Sequence, residues 1–134
     1  MGNESDLILQ SYAKDTKNNY EMQDYTIKYH EGNFICGDDV YVFLKIENDI
    51  VIEYSFSGNT SLVSKASASF LHDIIVNTSI DAVLELGPEI FAEHKLQVSA
   101  RRKNALHLPL LALRNAVHEY KNDGEMEEFE DLED

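Results

Sequence analysis

The chain has 134 residues and a formal net charge of −14, with 25 acidic and 11 basic side chains. This length fits one domain with a hydrophobic core, and the acidic excess argues against nucleic-acid binding through a general basic surface. No apolar run approaches the roughly 18 residues of a transmembrane helix, and the first residues show no signal-peptide pattern. The one cysteine, Cys36, cannot form an internal disulfide, which fits a reducing compartment. We therefore expect a cytoplasmic protein that binds neither membranes nor nucleic acid.

The negative charge is unevenly distributed along the chain. Residues 123–134 hold 8 of the 25 acidic residues and no basic one. Removing this segment leaves 17 acidic against 11 basic residues, a net charge of −6 over residues 1–122. We therefore predict a domain over residues 1–122 and an acidic, disordered tail over residues 123–134.

The first half of the chain has one helical pattern followed by three strand patterns. Residues 5–14 begin with a capping Ser or Asp and predict a short helix. Alternating apolar and polar side chains predict strands at residues 24–30, 39–47 and 50–57. Asn48-Asp49, between the last two strands, is a hairpin signal without the usual glycine. In the third strand the alternation places four side chains on one face, namely Ile50, Ile52, Tyr54 and Phe56.

The second half of the chain has helical patterns throughout. They cover residues 61–76, a stretch capped by Thr78 or Ser79 that runs to Leu86, residues 88–96, and residues 106–121. Apolar residues recur at helical spacing in the first of these, namely Leu62, Ala66, Phe70 and Ile74. Pro109 is expected in the first turn of the last helix, where its missing N–H costs little. The pattern predicts an α+β fold, in which an N-terminal helix and a helical second half cover a small three-stranded antiparallel sheet.

The sequence Cys36-Gly37-Asp38 is the stretch that points most directly to chemistry. It stands at the entry of a predicted strand, where Gly37 permits a tight turn. A soft thiolate beside a hard carboxylate oxygen suits zinc or iron. A single free cysteine is also commonly just a small buried hydrophobic residue, so this motif alone leaves both interpretations open.

Three further motifs follow Cys-Gly-Asp along the chain. Phe56-Ser57-Gly58 follows the third strand, the run Ala-Ser-Ala-Ser occupies residues 66–69, and Leu108-Pro109 marks the terminal helix. This order resembles the NifU/IscU-type iron–sulfur cluster scaffold family, including its SufU relatives, over about residues 6–120. The resemblance implies an α+β fold. It also implies a role in assembling a cluster from iron and from sulfur that a cysteine desulfurase delivers.

The resemblance also implies a ligand set of three cysteines and one aspartate. Cys36 and Asp38 match the first cysteine and the aspartate, and are the expected metal-binding or sulfur-accepting residues. Ser61 stands at the position of the second cysteine and Ala105 at that of the third, and neither side chain is a soft-metal ligand. His107, close to the third position, could supply a third ligand, or could be a surface or capping residue.

The stretch Arg101-Arg102-Lys103 is the basic cluster of this acidic chain. It could be a solvated loop, a docking site for a partner, or a docking site for the acidic tail. Its charge could also lower the pKa of Cys36, which as a thiolate could accept sulfur as a persulfide. The other histidines, His30, His72, His94 and His118, have no metal-ligand spacing.

Two functions remain open from the sequence. In the first, the chain is a scaffold-like protein, not an enzyme, that handles iron or sulfur through Cys36 and Asp38, with iron, zinc or an iron–sulfur cluster bound. In the second, it is an adaptor that binds no cluster and docks a cysteine desulfurase or another assembly partner. The sequence leaves open whether a second chain completes the site.

Overall fold

A three-stranded antiparallel sheet forms one layer of the protein, and helices form the other. The computed structural model describes residues 4–33 and 37–133. The elements in chain order are α1 (Glu4–Lys14), β1 (Ile27–Asn33), β2 (Asp38–Glu47), β3 (Ile50–Ser57), α2 (Leu62–Ile75), α3 (Ile80–Glu85), α4 (Glu89–Glu93) and α5 (Lys103–Lys121), with 3-10 turns at Ala100–Arg102 and Phe129–Leu132. The strand order is β1-β2-β3. This architecture confirms the α+β prediction.

The core lies between the sheet and the two longer helices of the second half. α5 packs on β1 and β2, while α2 packs on β3 and α5. The inward side chains of β2, including Val40, Val42 and Leu44, are fully buried there. Burial of these apolar surfaces is the main stabilising contribution, because the alternating pattern of β2 directs one face toward the helices.

The hairpin between β2 and β3 has the geometry that its sequence predicts. Asn48 and Asp49 both have positive φ, at 52° and 61°. A two-residue type I′ turn needs positive φ at both central positions, and Asn and Asp tolerate that conformation. The hairpin prediction is therefore confirmed without a glycine.

The face assignment for β3 is wrong at its start. The register shifts between Lys45 and Ile46, so that Lys45 pairs with Glu53 while Ile46 pairs with Val51. Ile52 is the extra residue of this bulge and is 37% exposed, whereas Val51 is fully buried. A bulge exchanges the two faces of a strand, which alternation alone does not reveal.

The helix predictions need three corrections. In α2, Leu62 is 50% exposed and Ile74 is half-buried; the buried residues include Val63, Ala66, Ser67, Phe70 and Leu71. α4 ends at Glu93, because Lys95 adopts a left-handed conformation with φ of 65°. α5 begins at Lys103, one turn earlier than predicted, because Ala105 already belongs to its buried face.

Pro109 consequently lies inside α5 and not in its first turn. A proline has no N–H to donate to the carbonyl four residues earlier, which here belongs to Ala105. Although α5 is the longest of the described helices, none of them is both long and apolar enough to span a membrane.

The acidic tail, predicted to be disordered, is described over residues 123–133 and runs back along α5. Leu132 is 4% exposed, and Phe129 packs against the core. Glu127 pairs with Arg114 of α5 at 2.7 Å. Two apolar side chains and a paired carboxylate thus hold a segment whose net charge alone indicates disorder.

Candidate functional site

The turn between β1 and β2 carries the Cys-Gly-Asp motif. Cys36 lies outside the described residues, and Gly37 follows it with φ of 78°. Gly37 donates its N–H to the carbonyl of Asn33 at 2.8 Å, and Asn33 pairs directly with Asp38 across the two strands. A left-handed conformation favours glycine at this position, so the motif needs Gly37 for its backbone geometry.

Asp38 is the buried carboxylate at the beginning of β2. Its exposed fraction is 4%, and its Oδ2 accepts a hydrogen bond from Ser61 Oγ at 2.8 Å. Its Oδ1 is buried and has no hydrogen-bond partner among residues 4–33 and 37–133. A buried polar atom without a partner is costly and uncommon, and it marks a position where a ligand atom can bind. Asp38 therefore has one oxygen held in place and one that is free.

Ser61 holds Asp38 and also begins α2. Its Oγ accepts a hydrogen bond from the Ser64 N–H at 3.3 Å, which makes Ser61 the N-cap. The Ser64 hydroxyl lies 3.2 Å from the same oxygen. The Ser61 hydroxyl thus donates its proton to Asp38 and accepts a hydrogen bond from the first turn of α2. Because Ser61 is held by the helix, its bond fixes the rotamer of the Asp38 carboxylate.

The loop after β3 is tied to the start of β2, which brings Ser61 to Asp38. Asp39 donates its N–H to the Asn59 carbonyl at 3.0 Å, and Asn59 N–H donates to Asp39 Oδ1 at 2.7 Å. The bond from Asn59, and then that from His30, holds the pKa of Asp39 below its usual value. A side chain on Gly58 would place a Cβ only 2.7 Å from the Asp39 carbonyl oxygen, and Gly58 has φ of 121°.

Asp39 and Asn59, which tie the loop after β3 to β2, have no motif in the sequence that marks them as part of the site. The available signal was Gly58, because the glycine of Phe-x-Gly is needed where two backbones approach closely. That glycine marks the contact between the loop and β2, although it does not name the partner side chains.

The structure places Ala105 and His107 at the beginning of α5. Ala105 is 4% exposed and presents only a methyl group. The His107 ring stacks on Phe91 of α4, with centroids 6.0 Å apart and an interplanar angle of 14°. Its Nδ1 is buried and has no partner among the described side chains and backbone, and burial followed by the charge of Lys103 lowers the pKa of His107. A neutral imidazole is the form that binds metals.

The three residues of the basic cluster, Arg101, Arg102 and Lys103, do not share one environment. Arg101 and Arg102 are exposed and line a cavity of about 440 Å³ together with Ser5 and Leu9 of α1. Lys103 instead binds Glu133 at 2.8 Å. Of the alternatives that the sequence leaves open, contact with the acidic tail is thus observed for Lys103.

The described residues do not form a complete metal-ligand set. Among residues 4–33 and 37–133, no three His, Cys, Asp or Glu side chains are grouped as metal ligands. The Ser61 hydroxyl is engaged with Asp38, and Ala105 has no ligand atom. Cys36 and Asp38 together would supply two ligands, whereas a closed tetrahedral site needs four.

In this α+β domain, the loop after β3 holds an aspartate that follows a cysteine and a glycine in the sequence. This combination is typical of one class of protein. The chain belongs to the NifU-like N-terminal domain family, whose model matches residues 3–126. The resemblance based on Cys-Gly-Asp, Phe-x-Gly and Ala-Ser-Ala-Ser is thereby confirmed.

Known proteins and structures agree with this assignment. The iron–sulfur cluster assembly scaffold protein IscU of Thermotoga maritima is 30% identical over 82 residues, which are 61% of this chain and 57% of that protein's length. The match therefore spans less than two thirds of that relative.

Two solved structures share the fold. A candidate SUF-system scaffold protein for iron–sulfur cluster assembly, FiSufU of Fervidobacterium islandicum AW-1, has a TM-score of 0.72 at 19% identity, over 82% of this chain and 93% of that one. The N-terminal part of a nitrogen-fixing NifU-like protein from Brucella abortus has a TM-score of 0.70 at 14% identity, over 91% of this chain and 95% of that one. At these identities, the likeness establishes the fold alone.

Proposed function

We propose that the chain acts in cytoplasmic iron–sulfur cluster assembly as a scaffold-like protein that handles iron or sulfur through Cys36 and Asp38. The observation that carries this proposal is the buried Asp38 Oδ1, which has no partner in the described part of the chain although Oδ2 is held by Ser61. The proposal is also supported by membership in the NifU-like family. The relatives named as scaffold proteins favour the same role.

Asp38 is suited to bind iron through Oδ1. Ser61 restrains the other oxygen, so the carboxylate loses little rotamer freedom when the metal arrives, as with hydrogen-bond partners that orient metal ligands. Cys36 adds a thiolate two residues away. Iron held by these two residues needs further ligands from sulfide, water or a partner protein. His107 is the proposed third protein ligand, since its neutral ring has an unpaired nitrogen.

Cys36 is suited to accept sulfur from a cysteine desulfurase. The Cys36 thiolate attacks the terminal sulfur of the persulfide on the desulfurase. The sulfur–sulfur bond of that persulfide breaks, and the desulfurase cysteine leaves as a thiolate. Cys36 then carries the persulfide, and no external oxidant or reductant is consumed in the transfer.

A second candidate function is an adaptor that binds a desulfurase or another assembly partner without holding a cluster. Two observations favour it: the Ser61 hydroxyl is already engaged by Asp38, and Ala105 offers no ligand. Arg101 and Arg102 remain exposed beside a cavity and could contact an acidic partner surface.

Anaerobic reconstitution of the purified chain with ferrous iron and sulfide tests the scaffold role. We expect stoichiometric iron and visible cluster absorbance in the natural chain, and loss of both in Asp38→Ala. Asp24→Ala is the matched control, because Asp24 is an exposed carboxylate paired with Lys45. Absence of iron and absorbance from the natural chain would contradict the scaffold role.

A sulfur-transfer assay separates the sulfur role from the adaptor role. Incubation with a cysteine desulfurase and cysteine is expected to add one persulfide, detected by mass spectrometry, that is missing from Cys36→Ser. If Cys36→Ser binds the desulfurase as tightly as the natural chain, and neither chain gains sulfur or iron, the adaptor function is the correct one.

A further inference from the structure

Residues 123–133, here called the strap, leave the end of α5 and return along that helix toward its beginning. We propose that the strap is a proton-operated latch: the ring of His118 fastens it to α5 when both ring nitrogens carry protons and loosens it when one proton leaves. This inference does not depend on the proposed role in cluster assembly.

The strap is held to α5 along its length. The fully buried Asn115 binds the Glu127 backbone on both sides: Asn115 Oδ1 accepts from Glu127 N–H at 2.8 Å, and Asn115 Nδ2 donates to the Glu127 carbonyl at 3.0 Å. Leu132 is buried, and Glu133 binds Lys103 at 2.8 Å. The strap therefore spans α5 from its last turn to its first residue.

The Glu127 carboxylate is the central anchor of the strap. Its Oε1 lies 2.7 Å from Arg114 Nε, and its Oε2 lies 2.6 Å from His118 Nε2. All three side chains are largely buried, with exposed fractions of 14%, 17% and 10% for Glu127, Arg114 and His118. Arg114 also donates to the carbonyls of Leu84 and Leu86, which fixes it independently of the strap.

The geometry of His118 favours a doubly protonated ring. Its Nδ1 lies 2.8 Å from Asp123 Oδ2, while its Nε2 faces Glu127. A neutral imidazole has one N–H and can donate to only one of these carboxylates, and its other nitrogen then directs a lone pair at a negative oxygen. The protonated ring donates to both. It also balances the charges, since Arg114 and His118 then face two carboxylates.

The charged groups that contact the ring are Asp123 and Glu127 of the strap. Arg114 of α5 shares Glu127 with the ring, Lys121 of α5 is paired with Asp81 of α3, and Glu31 of β1 accepts a hydrogen bond from Asn115. Burial alone would lower the pKa of His118, but the hydrogen bonds that the ring donates to Asp123 and Glu127 outweigh it and raise the pKa. Asp123 and Glu127 themselves have lowered pKa values and stay ionised as the pH rises.

Deprotonation should release one end of the strap before the other. Glu127 keeps its bond with Arg114. The Asp123 side chain is 28% exposed, so water replaces its bond with His118. At the far end, the charge of Glu133 acts on His107. An effect on His107 at the beginning of α5 requires detachment of the whole strap, including the Glu133–Lys103 pair.

Hydrogen exchange of the full chain tests the latch. After correction for the intrinsic effect of pH on exchange, raising the pH from about 6 to about 8.5 should lower the protection of residues 125–133 about tenfold, the scale of one charge-assisted hydrogen bond. His118→Gln should give the same low protection at both pH values. His94→Gln is the matched control, because His94 faces the Ile90 carbonyl and should leave the natural pH response intact.

Equal protection of the natural chain at both pH values would overturn the proposal, as would an unchanged pH response in His118→Gln. A second measurement covers the case in which His118→Gln does not fold. Nitrogen-15 NMR of the natural chain should report protons on both His118 ring nitrogens while the strap is protected. A strap that stays fully protected on a neutral His118 ring would rule out the latch.

Discussion

Asp38 at the start of β2 and Glu127 in the strap are both largely buried carboxylates, but they differ in how many of their oxygens have a partner. Among the residues that the structure describes, Asp38 has a single side-chain hydrogen bond, from Ser61, and one buried oxygen without a partner. Glu127 has both oxygens paired, with Arg114 and with His118. Complete pairing indicates a structural role, whereas an unpaired buried oxygen stores a free-energy cost that a ligand can relieve. This difference favours Asp38 over Glu127 as the carboxylate that binds a ligand.

The largest effect is expected when the paired region is broken. Arg114→Leu leaves Glu127 with one partner in a largely buried position, and should lower the free energy of unfolding by about 3 kcal/mol. Lys121→Met, which removes an exposed pair with Asp81, should change it by less than about 0.5 kcal/mol. Chemical denaturation measures both. Similar losses in the two variants would show that the Glu127 anchor is no stronger than a surface ion pair.

Conservative amide substitutions should have effects of different size in the two regions. Asp38→Asn keeps an oxygen that can accept from Ser61 and places an amide NH2 where Oδ1 has no partner, so the free energy of unfolding should change by less than about 1 kcal/mol. Glu127→Gln weakens two charge-assisted bonds and should lower it by about 1–2 kcal/mol. The Asp38 variant should also bind ferrous iron at least about tenfold more weakly. If both substitutions destabilise equally, the comparison fails.

Two helix caps provide a sharper test of Ser61. Ser61→Ala and Ser79→Ala each remove an N-cap bond, at the beginning of α2 and of α3, and each should cost about 1 kcal/mol. Ser61→Ala also frees Asp38, so its affinity for ferrous iron should fall about tenfold, while Ser79→Ala retains the natural affinity. Calorimetric titration measures the affinities. Equal affinities in the two variants would remove the positioning role of Ser61.

The smallest expected effect is the pH dependence of stability. Because the folded-state pKa of His118 is raised, its contribution is complete below the pKa of the unfolded chain and is lost as the pH rises through the folded-state pKa. The loss should be about 1 kcal/mol, and His118→Gln should not show it. Denaturation curves across neutral pH measure it. A natural chain that gains stability over this range would contradict the sign.

Much of the fold could be predicted from the sequence, because its signals are local. Asn48-Asp49 specifies its own turn, and Ser79 caps its own helix. The bulge at Ile52 could not be predicted, since it is a property of pairing with β2 and not of β3 alone. The order of the strap also has a non-local cause, because Asn115 and Glu127 meet only after the chain has turned back.

The candidate site was predictable in part. Cys-Gly-Asp drew attention to Asp38, but its bond with Ser61 joins residues 23 positions apart in the chain. From the sequence, Ser61 was only the position where a cysteine ligand is missing. In the structure its hydroxyl orients the carboxylate of Asp38. Similarly, spacing identified His107 near the third ligand position and could not show that its ring stacks on Phe91.

X-ray absorption at the iron edge of the anaerobic full chain loaded with ferrous iron tests the proposed function most directly. We predict that the bound iron has sulfur from one protein thiolate and oxygen as its nearest neighbours. Cys36→Ser should remove the sulfur, and Asp38→Ala should lower the bound iron while Asp24→Ala does not. Bound iron with no sulfur neighbour, unaffected by Cys36→Ser and Asp38→Ala, would contradict the assignment of Cys36 and Asp38 as the iron-handling residues.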